Sequence, residues 1–211
     1  MNPATAFRRY FGACPLIAII RGVRPDEVEG IGEALFGAGI RIIEVPLNSP
    51  EPLVSIGRLA ARFGERALIG AGTVLSAADV AAVGEVGGRI IVSPGFNAEV
   101  VTATVRAGLV SAPGYFTPSE AFAALAAGAH ALKLFPAEAA PPAVVKAQRA
   151  VLPPSVPLVV VGGVTPEKMA SYFEAGADGF GLGGALYRPG QRPDQVTAQA
   201  RAFVDALRAR T

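Results

Sequence analysis

The feature that most constrains the fold is a repeat: eight short apolar runs of β type alternate with Ala-rich helical segments from one end of the chain to the other. The strand candidates are Leu16–Arg21, Ile40–Leu47, Ala67–Val74, Arg89–Pro94, Leu109–Pro113, Ala131–Pro136, Pro157–Gly163 and Gly179–Gly183. The helical candidates between and after them are Pro25–Gly37, Pro50–Phe63, Ser76–Val86, Ala98–Ala107, Pro118–Ala127, Pro141–Val151, Pro166–Ala175 and Asp194–Arg208. Several open with Pro behind a capping candidate such as Ser49, Thr117 or Thr165. Ala-Gly pairs at 38–39, 107–108, 127–128 and 175–176 put Gly after a helix, where a left-handed residue is easiest. Units of roughly 20–25 residues repeated eight times predict an α/β fold, a closed (β/α)₈ TIM barrel with a short N-terminal helix. An open doubly wound sheet is the competitor, but no Gly-x-Gly-x-x-Gly turn follows the first strand.

Composition supports one domain over residues 1–211, with no linker or low-complexity tract. Hydrophobic residues make up 51% and charged residues 17%, so a large core is expected. A net charge of +2, with no basic cluster, argues against nucleic acid as a partner. No apolar run reaches the roughly 20 residues of a membrane span, and the first ten residues do not read as a signal peptide. A single cysteine, Cys14, fits a reducing compartment, so a cytoplasmic location is expected and Cys14 reads as packing. One Cys and one His leave no His/Cys metal cluster, and no metal is expected. His130 reads as a loop or core residue, and Tyr115 as either a pocket residue or packing.

Strand alternation then singles out polar residues where apolar ones belong. In the run 131–136, Leu132 and Leu134 face the helices while Ala131, Lys133 and Phe135 face inward. Burial lowers the pKa of an amine toward neutrality, and a neutral amine can attack a ketone. The chain has two other lysines, Lys146 and Lys168, and both fall on helical segments as surface charges. In the run 42–47, Glu44 shares a face with Ile42, away from Ile43 and Val45, where a carboxylate could shuttle protons or form an internal ion pair. Arg21 at the end of the first strand is suited to clamp a carboxylate, with Thr73 adding a hydroxyl. The glycines after the last two strands, Gly162-Gly163 and Gly183-Gly184, suit an anion seat built from backbone N–H groups.

These landmarks resemble the 2-keto-3-deoxy-6-phosphogluconate and 6-phosphogalactonate aldolase family over nearly the whole chain. They are Ile17-Ala-Ile-Ile-Arg-Gly22, Glu44, Gly70-Ala-Gly-Thr-Val-Leu75, Pro113-Gly114 before Thr117-Pro-Ser-Glu120, Leu132-Lys-Leu-Phe-Pro136 and Gly162-Gly-Val-Thr-Pro166. The resemblance implies a class I aldolase with Lys133 as the Schiff-base lysine and Glu44 as the general acid/base. It implies substrate contacts at Arg21, Thr73, Pro94, Phe135, Val161, Gly162, Gly163, Gly183 and Gly184. The covalent imine on Lys133 then stands in for any cofactor. The partners implied are a phosphorylated sugar acid and further copies of the chain in a homotrimer. Val45-Pro-Leu-Asn-Ser-Pro50, Val161 and Gly181–Gly190 resemble the galactonate branch. Ser93-Pro94-Gly95-Phe96 resembles the gluconate branch, which is the alternative. Gly184 departs from the family pattern, in which Ser is common. Two rivals stand outside the aldolase reading: an isomerase or decarboxylase using Lys133 and Glu44 as plain acid and base, and a non-catalytic sugar-phosphate sensor.

Overall fold

In a computed structural model that describes residues 2–209, the chain closes into a parallel barrel wrapped by helices. The strands are β1 (Leu16–Ile19), β2 (Ile42–Pro46), β3 (Leu68–Gly72), β4 (Ile90–Val92), β5 (Val110–Ala112), β6 (Gly114–Tyr115), β7 (Leu132–Leu134), β8 (Leu158–Val161) and β9 (Gly179–Leu182). They pair in the order β5-β4-β3-β2-β1-β9-β8-β7-β6. Only Pro113 separates β5 from β6, so the two ends of that order belong to one stretch of chain. Gly114 N–H donates to Ser93 O at 3.0 Å on one side, and Lys133 N–H donates to Pro113 O at 3.0 Å on the other. The fifth strand candidate, Leu109–Pro113, therefore continues past its expected end to Tyr115 as one broken strand, and the barrel has the eight staves expected.

The helices are α1 (Pro3–Ala13), α2 (Val28–Ala38), α3 (Pro52–Phe63), α4 (Ala77–Glu85), α5 (Ala98–Arg106), α6 (Pro118–Ala126), α7 (Pro142–Arg149), α8 (Met169–Glu174) and α9 (Pro193–Arg208). Their caps follow the sequence in part. Thr117 makes a full capping box with Glu120, and Ser76 makes one with Asp79. Ser49 does not cap: α3 begins at Pro52, and the Ser49 hydroxyl instead accepts from Gly22 N–H at 2.9 Å. The segment after Thr165 is a 3₁₀ turn, Pro166–Lys168, leading into a shorter α8 than expected, and the Thr165 side chain makes no cap bond. No described helix is long and apolar enough to cross a membrane.

Alternation divides the core into two layers. Leu16, Ala18, Ile43, Val45, Ile69, Leu132 and Leu134 pack outward under the helices. Ile17, Ile19, Ile42, Leu68, Val110, Ala131 and Val159 fill the barrel interior. The N-terminal end of the interior is stoppered by α1, which inserts Phe7, Tyr10 and Phe11 into that inner layer. Phe7 and Phe11 stack with ring centroids 4.9 Å apart, and the Tyr10 hydroxyl donates to Glu65 O. With that mouth plugged by aromatic rings, the cleft lies at the C-terminal mouth, where barrels of this architecture carry their chemistry.

Candidate active site

The inner layer changes character toward the C-terminal ends of the strands. Inward positions there hold Glu44 on β2 and Lys133 on β7. A Cβ at Gly72 of β3 would collide with the Glu44 carboxylate, and one at Gly181 of β9 would lie 2.7 Å from Val161 Cγ2. In a barrel whose interior is otherwise packed with side chains, Gly72 leaves the volume that the Glu44 carboxylate occupies, and Gly181 lines the small space beside Glu44 and Lys133.

Glu44 is 1% exposed and Lys133 is 8% exposed. Burial pushes the Glu44 carboxyl up to about 7, while the charges of Lys133 and Arg21 pull the other way. Burial lowers the Lys133 ammonium below its ordinary value; Glu44 opposes that shift and Arg21 adds to it. Both side chains are thus moved toward their neutral forms, as desolvation of a charge requires. Glu44 Oε2 is buried with no hydrogen-bond partner in the protein. The Lys133 ammonium lies 5.0 Å from the centre of the Phe135 ring, and that ring is 37% exposed on the cleft wall.

Two spaces meet at Lys133. The larger is an open cleft of about 510 Å³, lined by Arg21, Thr73, Pro94, Lys133, Phe135, Val161, Gly162, Gly163, Gly183 and Gly184 among others. The smaller, about 10 Å³, lies inside the barrel and is lined by Glu44 and Lys133 amid apolar residues. All the substrate-binding candidates therefore gather on one cleft, while Glu44 lies beneath it.

On the β1–β3 side, Arg21 Nη1 donates to Asn48 Oδ1 and, at 3.3 Å, to the Thr73 hydroxyl. Thr73 has φ +58, a costly conformation for a β-branched residue, and it closes the strand-to-helix turn beside the guanidinium. On the opposite side the glycine turns are sharply folded, with φ +121 at Gly162 and +59 at Gly163. Leu186 N–H and Tyr187 N–H both donate to Gly183 O, at 2.8 and 3.0 Å, forming one helical turn. Gly184 and Ala185 lie inside that turn, and among the described residues no backbone carbonyl accepts from their N–H groups.

Three candidates resolve as structural. Tyr115 is buried, and its hydroxyl donates to Gln148 Oε1 at 2.9 Å, away from the cleft. His130 Nδ1 accepts from Ser111 N–H at 3.0 Å. Cys14 is buried in the outer core layer. Sequence reasoning missed Asn48 as the partner of Arg21, and Glu138, Tyr187 and Arg188 on the cleft wall. All four lie in turns beyond the strands, where alternation carries no signal.

A closed barrel that holds a buried amine and carboxylate at its C-terminal mouth defines a lysine-bearing barrel enzyme. Comparison with known proteins narrows the class. The chain belongs to the KDPG and KHG aldolase family, whose profile matches residues 9–198. It is 47% identical to the 2-dehydro-3-deoxy-6-phosphogalactonate aldolase of Escherichia coli K12, over 92% of this chain and 95% of that one. Identity to the KHG/KDPG aldolase of the same organism is 29%, over 92% of each chain. A solved structure of native KDPGal superposes with a TM-score of 0.91 at 47% identity, covering 92% of this chain and 95% of that chain.

Proposed function

We propose that this aldolase cleaves 2-dehydro-3-deoxy-6-phosphogalactonate to pyruvate and D-glyceraldehyde 3-phosphate through an imine on Lys133. The observation that carries the reading is the Lys133 amine: buried inside the barrel, lowered in pKa, and shared between the open cleft and the small space that holds Glu44. A nearby carboxyl near neutrality is suited to moving protons in both directions.

In this scheme Lys133 Nζ attacks the C2 carbonyl to give a carbinolamine, and loss of water gives an iminium. Glu44 takes the C4 hydroxyl proton through a water. The C3–C4 bond breaks, its electron pair passes to the iminium, and glyceraldehyde 3-phosphate leaves. Glu44 returns the proton to C3 of the enamine, and hydrolysis of the pyruvate iminium frees Lys133. The protonated nitrogen is itself the electron sink, so the reaction calls for no metal or organic cofactor. The small space beside Glu44 is close to the least volume that holds one water, and the unpartnered Oε2 offers that water an acceptor.

Arg21 and Thr73 hold the substrate carboxylate in this reading, and Phe135 packs against the bound chain. Pro94 and Val161 shape the wall, and the turns at Gly162-Gly163 and Gly183-Gly184 seat the phosphate. The galactonate epimer is favoured over the gluconate alternative by the higher identity to the galactonate-type relative. The enzyme acts as a cytoplasmic homotrimer in the same proposal, which a solution mass three times 21.5 kDa would support. Turnover of the two C4 epimers, compared side by side, tests the assignment: a higher kcat/KM on the galactonate epimer is expected, and a preference for the gluconate epimer would reverse it.

A further inference from the structure

The glycine end of the cleft carries a charge arrangement that backbone N–H groups do not balance. Glu138, in the 3₁₀ turn Ala137–Ala139, lays its side chain over the Gly162-Gly163 turn. Its Cγ lies 2.9 Å from where a Cβ would stand on Gly163, and its carboxylate oxygen presses on the corresponding place at Gly162. A full negative charge therefore rests on one of the two turns proposed to seat a phosphate. The other turn offers backbone N–H groups at Gly184 and Ala185, and position 184 has no hydroxyl. Even a complete helix N-terminus contributes only about half an elementary charge, against nearly two negative charges on a phosphomonoester. A phosphate at this end needs a cation.

Three cations line the cleft, Arg21, Lys133 and Arg188; a fourth, Lys168, donates from Nζ to Gly163 O at 3.1 Å but does not line it. Arg21 is engaged with Asn48 and Thr73 on the β1–β3 side, and Lys133 rises from the barrel wall. Arg188 remains, and its setting is built. Its Nε donates to Gly184 O at 3.1 Å, which tethers the guanidinium to the turn after β9. Its backbone N–H donates to Gln191 Oε1 at 2.7 Å. On one side the Tyr187 hydroxyl donates to Glu27 Oε1 at 3.0 Å. On the other, Pro189 Cγ packs against Gly22, 2.7 Å from where a Cβ would stand. Among the described residues no carboxylate forms an ion pair with Arg188. With Nε tethered, both Nη groups are left to meet two oxygens of one phosphate.

We propose that Arg188 is the cation that binds the substrate phosphate and sets the preference for phosphorylated over unphosphorylated substrates. The inference rests on the aldolase reading and adds a residue to it. Glu138 sharpens the requirement, because it penalises an anion at the seat when the arginine is absent.

The test is condensation of pyruvate with D-glyceraldehyde 3-phosphate and with D-glyceraldehyde, in the wild type, Arg188→Leu and Arg188→Lys. Arg188→Leu is expected to raise the KM for the phosphorylated aldehyde by about 10- to 100-fold, the loss typical of one charge-assisted contact. The preference for the phosphorylated aldehyde should fall by the same factor, while the KM for pyruvate moves by less than about twofold. Inorganic phosphate should lose potency as an inhibitor to a similar degree, and Arg188→Lys should recover part of the loss as a charge without the fork. An unchanged preference, or a KM rise confined to pyruvate, overturns the assignment. Borohydride trapping of pyruvate on the wild type separates the two levels. No adduct on Lys133 defeats the aldolase chemistry, whereas an adduct with unchanged phosphate preference defeats the role of Arg188 alone.

Discussion

Gly72→Ala places a single methyl group against the centre of the site. Gly72 pairs with Pro46 in the β3–β2 ladder and lies outside the left-handed region, so alanine is compatible with its backbone. The new Cβ would fall inside the van der Waals envelopes of both Glu44 oxygens and of Cδ. Relief requires a displacement on the order of 1 Å, judged against an optimal separation of about 3.5 Å. Leu47 N–H donates to Gly72 O at 2.8 Å, which holds the strand in place, so the carboxylate is the part that yields. The adjoining space of about 10 Å³ is too small to absorb it freely. Overpacking of this kind costs about 1–3 kcal/mol in stability. A 1 Å misplacement of a catalytic group costs about 100-fold in rate. The expected variant is folded, with a modestly lowered denaturation midpoint, and its retro-aldol kcat falls about 100-fold. Pyruvate should still be trapped on Lys133, because the amine itself is untouched. Chemical denaturation, steady-state kinetics and borohydride trapping on one preparation read all three. A kcat within about twofold of wild type would refute the placement of Glu44 as the proton carrier.

Three further predictions concern pH and the barrel stopper. Because burial holds the Glu44 carboxyl near 7, the retro-aldol rate should fall about tenfold per pH unit below that value, and Glu44→Gln should remove this limb along with most of the activity. The same shift makes the native state bind more protons than the unfolded chain between pH 4.5 and about 7. The Glu44 contribution to stability therefore declines as pH rises through that window and is fully lost above it, a slope that Glu44→Gln should abolish in denaturation curves. Phe7→Ala removes a fully buried ring from the barrel stopper and should cost about 3–5 kcal/mol, read as a fall in Tm, without altering the KM of the folded fraction.

Period-two alternation made much of this molecule legible. Leu132 and Leu134 could not face the helices without turning Lys133 inward, and the same reasoning turned Glu44 inward beside Ile42. The glycine turns after β8 and β9 were visible because two such clusters fall at the ends of successive strands. What escaped notice depends on contacts between distant turns. Arg21 meets Asn48 and Thr73, 27 and 52 residues away, and no local pattern encodes that meeting. Ser49 looked like a cap because it precedes a Pro-led helix, yet its hydroxyl is more useful to the Gly22 N–H across the barrel rim. Glu138 and Arg188 escaped for a related reason. A charged residue in a turn reads as solvated until the strand ends on either side are brought together.

The central claim is that Lys133, alone among the lysines at 133, 146 and 168, forms the imine. Incubation with pyruvate and sodium borohydride, followed by peptide mass analysis, tests it most directly. A stable pyruvate-derived mass is expected on the peptide that contains Lys133, and none after Lys133→Met. An adduct on Lys146 or Lys168, or no adduct with an active enzyme, would contradict it.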